Sequence, residues 1–418
     1  MDTLPININS EIGKLNGVIV HVPGAEVENM TPENAQRALY SDILNLSVAL
    51  PEYNGLLGVL KKYTRVFEVK ELLSEVLTNG IAKNELLEKI CKFSGIKKRG
   101  CDYLLSLSAS ELTDGLIEGV EKKIESLTEY LSDEKYCVHP LPNLFFTRDA
   151  SFSVHDKVMV STMASRVRQN ESFIMETIFN YHPAFINRTL NLIQEFDVSE
   201  SASIEGGDVL VIRDDILVIG NGARTSTKGV DTLVEYFKMQ PGVQHIIVQG
   251  LPHNPESFIH MDMTFTMLDV DKAMVYKPLI IDSHRYLTIH ITIDGDKVSF
   301  SEDGNVLKTL KKLGIDLEPV YCGGEDRTYM EREQWHSGAN FFALKPGHVI
   351  GYEKNTRTVE AMDKAGFEII TAKEVISGKK NPMKYEKVMI TIKGNELSRG
   401  GGGARCMTMP VNRDEVKW

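Results

Sequence analysis

The chain has 418 residues, with 47 lysines and arginines against 58 aspartates and glutamates and a formal net charge of −11. That balance argues against a nucleic-acid binder, and 42% hydrophobic with 25% charged residues excludes a chain that stays disordered. No basic start followed by an apolar stretch opens the sequence, and no window approaches the ~18 uninterrupted apolar residues of a membrane span, so the expectation is a cytoplasmic protein. The five cysteines, Cys91, Cys101, Cys137, Cys322 and Cys406, are odd in number and scattered, with no C-x-x-C pair. This pattern disfavours both a disulfide framework and a cysteine-rich zinc site.

In chain order, GVIVHVPG (17–24) and TRVFEVK (64–70) read as strands. From about Glu71 to Glu134 there is no strand signal, and the stretch reads as short helices. The last of these helices is SASELTDGLIEGVEKKIESLTEYL, with cap chemistry at Ser110. Four similar segments follow: SFSVHDKVMVS (151–161), DVLVIRDDILVIG (208–220), MTFTMLDVDKAMVYK (263–277) and NFFALKPGHVIGY (340–352). Each joins two β-branched or alternating runs through Asp, Lys or Gly and so predicts a β-hairpin. The second and fourth continue into an amphipathic helix and a further strand, whereas the first shows the helix without a clear returning strand. Self-similarity of this kind predicts an array of ββαβ units, an α/β propeller interrupted by a helical insertion over 71–134. The strand KVMITIK (387–393) is expected to join 17–24 and 64–70 in one more unit, closing the ring with the two chain ends.

Several residues at these hairpin mouths suit chemistry. In LSRGGGGARCMTMP (397–410), Cys406 follows a glycine run and Arg405. That setting fits a nucleophilic thiol, and it equally fits a glycine-rich surface loop before a buried cysteine. His260 and Asp262 form an H-x-D pair whose side chains share one face if the segment is extended. Asp149 in FFTRDASF and Glu205 and Asp208 in EGGD open two other hairpins, and turn chemistry alone explains any one of them. If the repeats form a ring, these acids converge with His260 and Cys406. Buried acids so gathered require a cationic ligand, for which a guanidinium is suited. Arg148, Arg168 and Arg224 lie near the same mouths and offer planar forks for an anionic end of that ligand.

The motifs FFTRD, EGGDV, H-M-D and the glycine run before ARCMTMP, together with GKLNGVIVHVPG, TPEN and GGEDRTYMEREQW, resemble those of the arginine deiminases. These belong to the guanidine-modifying superfamily with the pentein fold. The resemblance covers essentially the whole chain. It implies a five-bladed α/β propeller formed by 1–70 and 135–418. It further implies attack of Cys406 on the guanidinium carbon of L-arginine, with His260 as proton donor and then base, Glu205 as its partner, and Asp149 and Asp262 gripping the guanidinium. Asn143, Arg168 and Arg224 would hold the substrate carboxylate, with Phe146 along the stem and Leu39, Asp208 and Arg399 as further contacts. Positions 400 to 403 are all glycine where some members carry an arginine, so whether Arg399 or Arg405 reaches substrate stays open. The resemblance implies no metal, no organic cofactor, no nucleic-acid or membrane partner, and a homo-oligomer, dimer or tetramer. Agmatine deiminases and amidinotransferases are the nearest enzymatic rivals, and a non-catalytic propeller that only binds is the rival of another class.

Overall fold

A computed structural model describes residues 3–35, 39–40, 42–124, 126–132, 134–185, 189–196 and 202–418. All four expected hairpins are present as antiparallel pairs. These are Ser151–Val154 with Lys157–Val160, Val209–Arg213 with Ile216–Asn221, Phe265–Met267 with Lys272–Val275, and Phe342–Lys345 with His348–Tyr352. Their strands are buried nearly throughout, which is why each run reads as continuously apolar. Each hairpin also gains a parallel neighbour. For the first it is the two-residue strand Thr189–Leu190, too short to leave a periodic signal.

Four expectations need correction. The strand Val388–Ile392 does not join the N-terminal sheet; it lies between His348–Tyr352 and Glu368–Thr371, parallel to both. Its five residues are all buried, which suits an interior strand rather than an edge. The place beside Leu15–Val20 is taken instead by Met409–Arg413, antiparallel, with Arg65–Glu68 parallel on the other side. The chain ends therefore do meet, through the segment that directly follows Cys406. Second, a further hairpin, Thr288–Asp294 with Lys297–Asp303, extends the second unit to five strands. It accounts for the longer interval between the third and fourth mouths.

Third, the long helix expected after Ser110 ends early. It spans Ala109–Glu118 and is capped by Ser108 in a reciprocal box with Glu111. It stops at Gly119, whose φ of 97° is left-handed, and Val120–Glu121 then pairs with Tyr136–Val138. The helices Val69–Val76, Gly80–Ser94 and Lys98–Ser106 precede it. Fourth, Cys91 and Cys101, on the last two of these, form a disulfide. The tight turn after Ser94 folds one helix back on the other and brings together sulphurs that look unrelated in sequence. No helix among the described residues is long and apolar enough to cross a membrane.

One buried charge cluster fixes the N-terminal sheet against the loops beside it. His21 follows Leu15–Val20, with Nδ1 2.9 Å from Glu68 Oε1 and Nε2 3.2 Å from Glu26 Oε1. Burial disfavours the imidazolium, but hydrogen bonds to Glu26 and Glu68 outweigh it and raise His21 to about 9. Because this lies above the unfolded value of about 6.5, the stabilisation is complete below about pH 6.5 and fades as pH rises through 9. His21→Ala should lower unfolding free energy by about 3 kcal/mol at pH 6, since it strands two carboxylates, and the gap should shrink by pH 9.5. Urea titrations at both pH values test this, and a gap independent of pH would mean that His21 titrates alike in the folded and unfolded chain.

Candidate active site

The hairpin mouths deliver their polar residues to one place. Asp149 sits in the short helix Thr147–Ala150 that leads into the first hairpin. Glu205 precedes the turn Gly206–Asp208 at the second, and His260 precedes the turn Met261–Met263 at the third. A Cβ at position 207 would stand 2.5 Å from His260 Nδ1. The glycine of the E-G-G-D motif thus lets two mouths touch. Cys406 lies between the glycine run and Met409–Arg413, and its carbonyl accepts from the Arg148 N–H at 3.1 Å.

His260 Nε2 is 2.9 Å from Glu205 Oε2, and Nδ1 is 3.7 Å from Asp149 Oδ1. Burial works against its charge, but Asp149, Glu205 and Asp208 prevail and raise it to about 9. Asp149, Glu205 and His260 each offer a ligand atom within 4.8 Å of the others, a spacing that a cation would also accept. Burial raises Asp208 to about 7; its Oδ1 accepts from the Met261 N–H at 2.9 Å, which fixes the turn carrying Asp262. The Cys406 sulphur lies 3.9 and 3.7 Å from the two carboxylate oxygens of Asp262. Burial first, then Asp262 and Asp149, push its thiol well above the usual range. Before a cation enters, the sulphur is therefore protonated and His260 is charged.

A narrow cavity is lined by Leu39, Asn143, Phe146, Asp149, Arg168, Arg224, Ile259, His260, Gly400, Gly401, Gly402 and Cys406. Leu39 adopts φ 65°, a left-handed conformation that is costly for leucine. Glu205, Asp208 and Asp262 are not among these lining residues; Glu205 contacts His260, and Asp262 lies against Cys406. Arg168 and Asp149, expected at opposite ends of a ligand, are paired with each other at 2.7 Å. Arg168 is also held by Glu171 through Nε at 3.1 and 3.2 Å and Nη2 at 2.8 Å.

Three expected arginines lie outside the lining. Arg399 turns outward to Asp42 and Glu396. Arg405 is buried against Glu11 and Asp262, and Arg148 donates through Nε to the Arg405 carbonyl at 3.4 Å. Three residues that sequence reasoning missed take part. Glu171 was legible in principle, three residues after Arg168 on one helical turn. Asn340, at the fourth mouth, donates to the Cys406 sulphur from 3.2 Å. Glu11 binds the guanidinium of Arg405, 394 residues away, and nothing local announces it.

A buried thiol beside an imidazolium and several carboxylates around one cavity suits a planar cation. The arginine deiminase family profile matches residues 36–413. The arginine deiminase of Latilactobacillus sakei strain 23K is 32% identical over 433 residues, covering 99% of this chain and 100% of that one. That of Levilactobacillus brevis is 33% identical with the same coverage. This chain belongs to the arginine deiminase family. Among solved structures, SxtG, an amidinotransferase from Microseira wollei, superposes with a TM-score of 0.54 at 13% identity, covering 99% of this chain and 98% of that one. The N-terminal domain of ArgZ, a cyanobacterial arginine dihydrolase, gives 0.51 at 13% identity in a substrate-bound mutant form, covering 95% of this chain and 98% of that one. At that identity these two show a shared α/β fold.

Since Glu205 is a principal support of the imidazolium, Glu205→Gln should lower the His260 midpoint from about 9 by roughly one pH unit or more. Histidine-labelled NMR titration reads this directly, and an unchanged midpoint would assign the raised value to Asp149 and Asp208.

Proposed function

We propose that this chain hydrolyses free L-arginine to L-citrulline and ammonia, with Cys406 as the nucleophile. The observation that carries the reading is Asp149 Oδ1, a buried carboxylate oxygen with no hydrogen-bond partner on the wall of a cavity that Cys406 also lines. Such an oxygen is costly unless a cation meets it. A guanidinium held by Asp149 and Asp262 satisfies it and brings positive charge to the sulphur. The thiol then releases its proton to solvent, so that substrate binding generates the thiolate.

The thiolate adds to the guanidinium carbon and gives a neutral tetrahedral adduct. His260, charged and held by Glu205, protonates one amino group, which leaves as ammonia, and a covalent S-alkylthiouronium remains on Cys406. The now neutral imidazole accepts a proton from water as its oxygen attacks the same carbon. Collapse of this second adduct breaks the carbon–sulphur bond, regenerates the thiolate and, after loss of a proton, yields citrulline. No step calls on a metal or organic cofactor.

Arg224 is assigned to the substrate carboxylate, with Asn143 beside it and Phe146 and Leu39 along the methylene stem, while Arg168 holds Asp149 in place. Arg399 acts at a distance, by bracing the glycine run against Asp42. Arg224 favours arginine over agmatine, which has no carboxylate to hold. Five sheets of three to five strands, begun by the four hairpins and by the joined chain ends, support a five-bladed α/β propeller. Residues 71–134 then form a helical insertion in a catalytic propeller of 1–70 and 135–418.

The purified chain should release citrulline and ammonia from L-arginine and little from agmatine, and Cys406→Ala should abolish the release. Arg224→Ala should raise KM for arginine about 10- to 100-fold, the value of one charge-assisted contact, with a much smaller change in kcat. Citrulline formation by Cys406→Ala, or preference for agmatine, would overturn the reading.

A further inference from the structure

We propose that Asn340 is a catalytic residue of this reaction: its side-chain amide donates to the Cys406 sulphur and stabilises it as a thiolate, both as attacking group and as leaving group. The inference rests on the assignment of Cys406 as nucleophile.

The geometry fixes which end of the amide meets the sulphur. Asn340 Oδ1 accepts from the Arg405 N–H at 2.9 Å and from the Cys406 N–H at 3.4 Å. Backbone N–H groups only donate, so the oxygen must face them and Nδ2 must face the other way. There Nδ2 lies 3.2 Å from Cys406 Sγ and 3.2 Å from the Asp262 carbonyl oxygen. Asn340 is 1% exposed, and a Cβ at Gly403 would stand 2.6 Å from the Asn340 Cβ. The last glycine of the run thus lets the nucleophile loop close onto this amide.

The surroundings of the sulphur give the contact its value. The nearest acids oppose a negative sulphur, and the guanidinium of Arg405 is already committed to Glu11 and Asp262. Asn340 Nδ2 is the side-chain donor to Sγ recorded among the described residues. A neutral N–H gains little from a thiol and much more from a thiolate, so its effect grows when the sulphur is charged. That condition arises before attack and again when the carbon–sulphur bond breaks.

The repeat explains the residue type. The mouths of the first three hairpins carry Asp149, Asp208 and Asp262, and the equivalent place at the fourth carries Asn340. A fourth carboxylate there would face the sulphur directly and hold it as a thiol. The amide keeps the acceptor that braces the loop and replaces the charge by a donor.

Asn340→Asp retains the acceptor for both backbone N–H groups and replaces the donor by a charge that opposes the thiolate. Asn340→Ser, with a hydroxyl that still accepts from the Arg405 N–H, gives a second variant of different size. Two readouts serve: steady-state kinetics with arginine at pH 8.5, and the pH dependence of Cys406 alkylation by iodoacetamide, followed by peptide mass spectrometry. Both variants should melt as folded proteins, lose kcat by about 10- to 100-fold with KM within about threefold, and alkylate with a midpoint shifted to higher pH. Wild-type kcat with an unmoved alkylation midpoint in Asn340→Asp would reduce Asn340 to a brace, as would failure of both variants to fold. The alkylation comparison is independent of turnover. Absence of citrulline from the wild-type chain would defeat the arginine reading alone, whereas an unmoved midpoint would defeat the role of Asn340 alone.

Discussion

The arrangement depends on one buried guanidinium. Arg405 donates to Glu11 through Nε and Nη2 at 2.9 and 3.0 Å, to Asp262 through Nη1 at 2.8 Å and to the Val209 carbonyl at 2.8 Å. It thereby ties together the N-terminal segment, the second and third hairpin mouths and the residue adjoining the nucleophile. Burial resists charge on Glu11, but Arg405 overrides it and holds the carboxyl down at about 2. Arg413 is buried nearby, and it donates to the carbonyls of Gly13 and Ala343 while lying over the Phe342 ring. Charges this deep are tolerated only as a set, because removing any one leaves the others desolvated and unpaired. The position of Cys406 follows from this network, since no regular element holds it.

A balance of charges also sets the resting protonation state of the site. Asp149, Glu205 and Asp208 act on one histidine, and the guanidinium of Arg168 is shared between Asp149 and Glu171. Glu171, which burial raises to about 6, keeps that fork in place beneath the cavity. Burial, with Asp262 and Asp149, holds the thiol protonated, and Asp149, Glu205 and Asp208 keep His260 charged until a cation enters. In the proposed mechanism only the thiol waits in the wrong state, and the substrate's own charge corrects it, while His260 already carries the proton that it donates.

The rim of the cavity comes from segments far apart in sequence, Leu39 on one side and Gly400 to Gly402 on the other. They are joined behind the rim. Glu52 accepts from the N–H groups of Asn395, Glu396 and Leu397, the Asn45 N–H donates to Glu396, and Arg399 bridges Asp42 and Glu396. Arg399 therefore shapes the entrance without facing it, which a reading of the glycine run by itself does not reveal.

The four hairpins, the short helices after residue 70 and the identity of the acids, His260 and Cys406 were legible in the sequence, because each depends on neighbours in the chain. Alternation, turn residues and the need for glycine where two backbones touch are local requirements, and they leave local marks. Pairing between distant strands leaves none. Val388–Ile392 and Met409–Arg413 are both short, apolar and buried, and either satisfies the pattern of a closing strand; only packing decides which lies beside Leu15–Val20. Asn340 looked like the first residue of a hairpin, and Glu11 like one acid among many. Their partners, Cys406 and Arg405, are 66 and 394 residues away. The Cys91–Cys101 disulfide follows from two helices folding back on each other and not from cysteine spacing. The sequence alone thus determined which reactive groups the chain carries and the small units that present them. The tertiary structure decided which of those groups meet and in what charge state, because burial and long-range pairing set the energies of ions and donors, and neither is a property of neighbouring residues.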